Sequence, residues 1–526
     1  MSQQSSNSAS NNPPYSSTHT IKKLGFFASI ASLSYVFWIV GGMELIERVA
    51  FYGVKTVAGL YATDPVSKGG LGVTMTDFGT ILMAWALVQA FVPVFIGGLS
   101  DRIGYKETIA LSTVTKIAAY LLMAFFPTYW GFMVGAIVLA LGTGIFKPGI
   151  QGTLVKSTTP QNSTMAWGMF YQMVNIGGWV GPLIAAQLRI LDWQNVFYAC
   201  AAIISLNFFM LLLYKEPGKA ERVKNQEKLA KSGAPTKSLW RESIHEFKQA
   251  HLIYYTIIFS GFWFMFMALF DVLPVHIRDW IDTTAIVASL FGENGTDSVA
   301  WRSALGMNAD GLSILPEGIM NLNFGMIMLT CFLFAALAQR LGTMNSLVIG
   351  TFLCSAALFI IGGVNAAWFL VLAIFTFSVG EMLASPTSYK LIGNIAPDDK
   401  KAMYLGFKDL PLGIGWVAES YIGPMLYDKY AAKETLAKAM LSDTYQQSTA
   451  ALSAIPQGEY FTHLVSISGQ SSQEMTALLY QQNNIGVVWF VMGAIGIASA
   501  FGLVIYSRWI ISARSSLSSE QKSLVD

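Results

Sequence analysis

The sequence MELIERVAFYGVK, residues 43–55, lies inside an apolar run from about 26 to 61, a length typical of a membrane-spanning helix. It contains four ionisable side chains: Glu44, Glu47, Arg48 and Lys55. Each charge costs roughly 2.5–3.5 kcal/mol near the centre of a bilayer. At about 100° per residue, Glu44, Arg48 and Lys55 fall within about 40° of one another. We therefore predict one charged stripe that faces a wet cavity or other protein rather than lipid.

Two interpretations of this stripe remain open. A structural ion pair between Glu44 and Arg48 would hold helices together, but it leaves Glu47 and Lys55 without a role. Ionisable residues inside a membrane more often mark a transport pathway. We therefore favour a transport site.

The composition indicates an integral membrane protein. Hydrophobic residues make up 53% of the 526 residues, charged residues make up only 12%, and the mean hydropathy is +0.49. Soluble domains average about 25% charged residues. The net charge of +2 gives no indication of a nucleic-acid partner. Cys200, Cys331 and Cys354 lie in apolar segments and are expected to be free thiols.

Apolar runs and their polar breaks predict an all-α protein with twelve transmembrane helices. The predicted helices lie near 33–61, 77–98, 106–126, 129–154, 164–187, 194–214, 252–275, 319–341, 345–363, 366–390, 402–427 and 483–510. A charged linker at 215–250 divides them into two six-helix bundles, at 26–214 and 251–510, with an internal repeat. Two long inserts, near 276–318 and 428–482, fall on the side opposite the linker.

The lysines and arginines of the loops predict the orientation. Most of them lie on the linker side, in the segments 101–106, 215–248, 339–342 and 398–401 and after Arg508. That side is therefore predicted to be cytoplasmic, in a plasma membrane or a bacterial inner membrane. Both termini are predicted to lie on the same side. They are a disordered tail at 1–25, which lacks the apolar core of a signal peptide, and a tail at 511–526.

The segment GGLSDRIGYK, residues 97–106, is predicted to form the short loop between helices two and three. A carboxylate and several cations at such a junction can form a charge latch that opens and closes with the bundles. We expect Asp101 and Arg102 to take part in it. The spacing resembles the conserved loop of the major facilitator superfamily, and the resemblance covers the whole twelve-helix chain.

Two polar motifs lie inside predicted helices. GTGIFKP, residues 142–148, lacks the Gly-Lys-Ser/Thr of a phosphate loop, so its glycines are interpreted as packing contacts. Lys147 then either projects into the cavity or snorkels towards the membrane surface. In FYQMVNIGG, residues 170–178, Asn175 can bind a zwitterionic or amide-bearing ligand, or it can bridge two helices.

Together these segments resemble the proton-dependent oligopeptide transporter family. The resemblance rests on Glu44-x-x-Glu47-Arg48 with Tyr52-Gly53, on the two motifs above, on the Asn-Leu-Asn segment at 321–323, and on GEMLASP at 380–386, which is similar to the family's Gly-Glu-x-x-x-Ser-Pro pattern. It spans both halves of the chain. It implies a proton-coupled symporter that imports di- and tripeptides by alternating access, with protons as the coupling ion and no other cofactor or metal.

The resemblance also implies roles for single residues. Glu44, Glu47 and Arg48 would form the protonation switch. Lys147 and Glu381 would pair to close the cytoplasmic exit, and Lys55 and Asp271 would pair to close the outer side. The implied substrate contacts are Arg48, Tyr52, Trp85, Lys147, Asn175, Asn323 and Glu381. The partners would be the peptide, protons and the bilayer, with the chain acting as a monomer.

Some features depart from that family or receive no role from it. The two inserts are atypical, and helix two contains no histidine. Lys116 in helix three is expected to snorkel inward, and Glu419 in helix eleven has no assigned role. The alternative function is a proton-coupled carrier of amino acids or another small organic anion. An enzyme is disfavoured, because the chain has no Gly-x-Ser-x-Gly and no His-Glu-x-x-His.

Overall fold

Twelve helices of twenty or more residues make up most of the computed structural model, which describes residues 25–159, 161–220, 224, 247–395 and 407–514. In chain order they are α1 (Tyr35–Lys55), α2 (Met75–Ile103), α3 (Tyr105–Phe125), α4 (Tyr129–Lys156), α5 (Ser163–Arg189), α6 (Trp193–Leu212), α7 (Ala250–Asp271), α8 (Pro316–Leu341), α9 (Thr343–Gly363), α10 (Ala367–Ile395), α11 (Leu410–Tyr430) and α12 (Val487–Arg514). Six precede the linker and six follow it. The predicted all-α, twelve-helix architecture is confirmed.

The long helices differ in how apolar they are. Over the described ranges, nine of them are long and apolar enough to cross a membrane. The other three are α1, α5 and α11, which carry the charges of residues 44–55, the amides Gln172 and Asn175, and Glu419, respectively. Polar groups at membrane depth must face protein or a wet cavity. The three more polar helices are therefore the ones whose polar faces need the protein interior.

The helix contacts repeat between the two halves. In the first half α1 packs on α5 and α6, α3 packs on α4 and α6, and α2 packs on α4. Adding six to each number gives the contacts of the second half: α7 on α11 and α12, α9 on α10 and α12, and α8 on α10. The halves meet along two seams, α2 against α11 and α5 against α8, and the same operation exchanges these seams. Two similar six-helix bundles thus face each other about a pseudo-twofold axis.

Shorter helices lie on the side opposite the linker, which we call the insert side; the other side is the linker side. They are Ala58–Thr63, Leu273–Trp280, Thr284–Phe291, Val299–Leu305, Lys433–Asp443, Thr449–Ser453, Tyr460–Ser468 and Ser472–Gln482. The second insert has its own apolar core, in which Leu441, Leu464 and Leu479 are fully buried. The Trp280 indole donates a hydrogen bond to the carbonyl of Ala431 (2.8 Å), so the first insert is fastened to the second.

The junction between α2 and α3 differs from the predicted loop at 97–106. The α2 helix continues to Ile103, and only Gly104 separates it from α3, so the expectation of a loop was wrong. Asp101 and Arg102 lie in the last turn of α2, but their side chains lie outside the described part of the chain. Most of the linker at 215–250, the segment 398–401 and the tail segments 1–24 and 515–526 also lie outside it.

The seam between α2 and α11 gives a test of this packing. A Cβ atom at Gly79 would lie 2.7 Å from the carbonyl oxygen of Ser420 and 2.9 Å from Cβ of Pro424. At Gly363, an exposed helical glycine, it would meet nothing within 4 Å. We predict that Gly79→Ala destabilises the fold by about 1–3 kcal/mol through overpacking. The control Gly363→Ala should be neutral or stabilising by up to about 1 kcal/mol. Thermal unfolding in detergent measures both, and equal effects would contradict the packing.

Candidate functional site

Arg48 forms ion pairs with both glutamates of the α1 stripe. Its Nε atom lies 3.2 Å from Oε1 of Glu44, one turn away, and its guanidinium also contacts Glu47. All three side chains are buried, and Glu47 has no exposed surface. The guanidinium also lies 5.0 Å from the centre of the Phe51 ring, a cation–π distance. The structure thus brings together the three residues predicted as a protonation switch.

A fourth charge, Lys116 of α3, completes this group. Its ammonium donates a hydrogen bond to Glu47, and its side chain has no exposed surface. Lys116 was expected to snorkel inward, and its side chain does lie inside the bundle, but its pairing with Glu47 was not predicted. Gly142 of α4 makes room for it, since a Cβ atom there would lie 2.7 Å from Cγ of Lys116. Glu44, Glu47, Arg48 and Lys116 are called the α1 charge cluster below.

The sequence contains a signal that points to Lys116. Ser112, Thr113, Lys116 and Tyr120 are all buried in the structure, and their spacing of three to four residues places them on one face of α3. A polar stripe on an otherwise apolar helix indicates a face directed at other helices. Such a face pairs a lysine with a carboxylate instead of sending it to the membrane surface.

Lys147 and Glu381 are not paired with each other. Within the described residues Lys147 forms no ion pair, although it lies close enough to Asp409 and Glu44 to interact with both electrostatically. Glu381 instead accepts a hydrogen bond from Asn323 (3.0 Å), whose amide nitrogen also contacts Ser378 at 3.0 Å. The two charges come from different halves, Lys147 from α4 and Glu381 from α10. The pair implied for the cytoplasmic exit is therefore absent from this conformation.

Accessible surface remains between the halves near these residues. Tyr171 of α5 interacts electrostatically with Glu381 and Tyr389 of α10 and with Tyr52 of α1, yet it is 36% exposed. Asn175 donates its amide hydrogen bond to the Tyr171 carbonyl, within its own helix. The Tyr52 ring packs 4.9 Å from the ring of Phe324. Tyr171 and Tyr389 lie near Glu381 and were missed, although Tyr171 lies in the FYQMVNIGG motif.

On the insert side, ion pairs connect the two halves. Lys55, the last residue of α1, pairs with Asp271, the last residue of α7. The other two pairs join Arg189 with Glu317 and Arg278 with Asp64. We call these three contacts the insert-side pairs. In the described part of the linker side, the ion pairs Lys219–Glu107 and Lys408–Asp409 each stay within one half. This conformation is therefore closed at the insert side.

Trp85, implied as a substrate contact, belongs to this closed end. It is fully buried, donates a hydrogen bond to Gln89 (2.9 Å), and its ring centre lies 5.3 Å from the Lys55 ammonium. The Lys55 ammonium also lies 4.6 Å from the ring of Trp416, and the indole of Trp416 donates to Asp271 (3.0 Å). Two tryptophans thus exclude water from the Lys55–Asp271 pair.

The described residues offer no metal site. No group of three His, Cys, Asp or Glu side chains among them is placed to hold a metal ion. The three cysteines are free. The chemistry available in the interior is therefore ion pairing, hydrogen bonding and contact with aromatic rings.

Comparison with known proteins identifies a family whose model matches most of the chain. The family described as the Major Facilitator Superfamily matches residues 45–418. The multidrug resistance protein MdtH of Yersinia pestis (strain Pestoides F) is 22% identical over 362 residues, which cover 68% of this chain and 79% of that protein. MdtH of Yersinia pseudotuberculosis serotype O:1b (strain IP 31758) gives the same values.

Solved structures of peptide transporters share the fold. The peptide transporter POT in complex with sulfate aligns with a TM-score of 0.63 at 15% identity, over 93% of this chain and 99% of that one. A POT family transporter in complex with 5-aminolevulinic acid gives 0.62 at 14% identity, over 90% and 96%. Tetrameric PepTSo2 gives 0.60 at 16% identity, over 91% and 98%. Identities this low establish a common fold alone.

The α1 charge cluster gives a second test. Replacing Lys116 by Met leaves buried Glu47 with one cation fewer, and we predict a loss of about 3–5 kcal/mol. Adding Glu47→Gln should recover part of this loss, because the unpaired charge is then removed as well. The exposed pair is the control, since Lys219→Met should cost less than about 1 kcal/mol. Chemical unfolding in detergent measures all variants, and additive effects of the two cluster substitutions would contradict the contact.

Proposed function

This chain belongs to the Major Facilitator Superfamily, and from that premise we propose that it is a proton-coupled symporter that imports small peptides, chiefly di- and tripeptides. Superfamily membership and the twelve-helix fold make it a multi-pass membrane transporter. The observation that supports the finer proposal is the α1 charge cluster, where two buried carboxylates meet two buried cations. Such a cluster is neutral when both carboxylates are ionised, so one added proton changes its charge and its contacts.

The insert side is proposed to face outwards and the linker side the cytoplasm. The argument is the excess of lysine and arginine in the linker-side segments. In this orientation, the conformation described above is closed to the outside. The three insert-side pairs would break when the transporter opens outwards. Asp101 and Arg102 remain proposed members of a latch on the cytoplasmic side.

Glu44 is proposed to receive the coupling proton first. Glu47 is held by two cations and has no exposed surface, whereas Glu44 is held by Arg48 alone and is 7% exposed. A carboxylate with fewer cationic partners is easier to neutralise. A proton on Glu44 weakens its contact with Arg48, which leaves guanidinium N–H groups free to bind a carboxylate of the substrate. Proton binding and peptide binding would then be linked through Arg48.

The accessible space between the halves is proposed to bind the two ends of a peptide. Lys147 and Arg48 offer positive charge for the carboxylate end, and Glu381 offers negative charge for the ammonium end. The side-chain amide oxygen of Asn323 accepts no hydrogen bond in the described structure, so Asn323 can bind the peptide backbone. Tyr52, Tyr171 and Asn175 complete the walls. Because Lys147 and Glu381 belong to different halves, a peptide between them would draw the halves together on the cytoplasmic side.

The second candidate is a proton-coupled carrier of amino acids or another small organic anion. It is favoured by one observation, that a structural neighbour of similar fold is described in complex with 5-aminolevulinic acid. Such a ligand carries an ammonium and a carboxylate but no peptide bond, so the same charges could bind it. We propose the single chain as the transport unit, since every site residue comes from it.

Uptake into proteoliposomes tests the peptide proposal. Purified protein is reconstituted, and a labelled dipeptide is offered under an imposed proton gradient. One proton contributes about 2.3 kcal/mol per 100 mV and about 1.36 kcal/mol per pH unit. With an imposed gradient of about two pH units, accumulation of roughly a hundredfold is therefore expected. Unlabelled tripeptides should compete and free amino acids should not. Competition by amino acids alone would favour the second candidate, and uptake that ignores the gradient would contradict proton coupling.

The coupling role of Glu44 gives a further prediction. Glu44→Gln should abolish gradient-driven accumulation while counterflow exchange remains within about tenfold of wild type, because exchange requires no net proton movement. The control is Glu107→Gln, which changes a glutamate in the same half that is 43% exposed and lies outside the cluster. That variant should accumulate substrate normally. Wild-type accumulation by Glu44→Gln would contradict the assignment.

A further inference from the structure

The insert-side pair of Lys55 and Asp271 has an unexplained acidic neighbour, Glu419 of α11. Glu419 has no exposed surface, and neither of its carboxyl oxygens receives a hydrogen bond from a described N–H or O–H group. Trp416, three residues earlier on the same face of α11, donates a hydrogen bond to Asp271 (3.0 Å), so the Asp271 carboxyl lies beside Glu419 and interacts with it. A buried polar group without a donor costs free energy, and a buried charge costs more.

Asp271 has no need of a further cation, because it already has two donors. One of its oxygens accepts from the Lys55 ammonium and the other accepts from the indole of Trp416 (3.0 Å). The three ionisable groups therefore comprise two carboxyls and one cation. If both carboxyls were ionised, one negative charge would remain uncompensated in a site without water. Two carboxylates in direct contact cannot both stay ionised at such a site.

We propose that Glu419 and Asp271 form a second proton-binding site, in which the Glu419 carboxyl holds the proton and donates it as an O–H hydrogen bond to the Asp271 carboxylate. The bound proton leaves a neutral cluster with one cation, one anion and one carboxylic acid. The Glu419 hydroxyl then has an acceptor, and no net charge remains among the three groups. The step is the protonation of a carboxylate by solvent, and no other bond changes. The site is separate from Glu44 and Glu47, which contact Arg48 and Lys116 instead.

Among the described residues, other helices place no further titratable group against Glu419. The charged groups that act on it are Asp271 of α7 and Lys55 of α1. From α12 the methyl group of Met492 lies beside it, and α2 packs against this part of α11 through Gly79. The state of this site is therefore governed by one cation and one shared proton.

The proposal makes closure of the insert side depend on pH. When the Lys55–Asp271 contact opens and water enters, Glu419 can ionise, so the closed state binds one proton more than the open state. The ratio of closed to open molecules then falls tenfold for each pH unit above the titration midpoint of the open state. In this transporter the outer solution would supply the proton. The uptake of this proton from the outer solution during transport rests on the proposed proton-coupled function. The dependence of insert-side closure on pH does not.

The experiment measures the insert-side opening directly. Spin labels are placed at Val66 and Leu290, exposed positions in the two halves on the insert side, in a chain whose three native cysteines are replaced. Double electron–electron resonance in nanodiscs gives the closed fraction between about pH 5 and about pH 9, a span that covers buried carboxyl groups. No substrate or gradient is present. A failed peptide assay therefore does not affect the outcome.

In the wild-type protein, the closed fraction is expected to fall as pH rises, with the ratio of closed to open molecules decreasing tenfold for each pH unit. Glu419→Gln, which keeps a donor to Asp271 but cannot ionise, should stay closed across the range. Ser420→Ala, a neighbouring buried substitution without titratable groups, should follow wild type. If Glu419→Gln does not fold, Asp271→Asn is used instead, and it should also abolish the slope because Glu419 then faces Lys55 alone. Retention of the wild-type slope in either variant, or a flat wild type, would overturn the proposal.

Discussion

Glu47 contacts a cation from its own helix, Arg48, and a cation from α3, Lys116, in a place with no accessible surface. A lone charge there would cost several kcal/mol, so each of the three groups depends on the other two. The contact therefore positions α3 relative to α1, and the close approach of Gly142 on α4 leaves space for it. The packing of α1, α3 and α4 therefore depends on pairing each of these buried charges with an opposite charge.

A second set of charges, buried or partly buried, acts between the halves rather than within one. Lys55–Asp271, Arg189–Glu317 and Arg278–Asp64 each join the first half to the second on the insert side. Breaking any of them without water would expose an unpaired charge. Opening of this side must therefore be accompanied by hydration, or by a change in protonation. The α1 charge cluster lies within the first half, whereas these three pairs join the first half to the second.

The sequence predicted the architecture well, because length and hydropathy alone identify membrane helices. The resemblance to peptide transporters implied a contact between Lys55 and Asp271, and the structure contains this ion pair. The Lys147–Glu381 pair is absent from this structure. An ion pair between the halves can form in one conformation and not in another, and a residue pattern does not say which conformation is present. The inward direction of Lys116 was expected, but its pairing with Glu47 was not, because the ability of a lysine to snorkel does not identify a partner. The predicted loop between α2 and α3 was wrong because polar residues can continue a helix as readily as they can end one.

The helix repeat gives the Lys55–Asp271 contact a further meaning. These residues are the last of α1 and the last of α7, and the repeat relates those two helices. The contact thus lies at the pseudo-twofold axis, where equivalent positions of the two halves meet. Identical charged residues at these equivalent positions would repel each other, whereas a lysine in one half and an aspartate in the other attract. The two similar halves therefore have to differ at this position for the contact to hold them together.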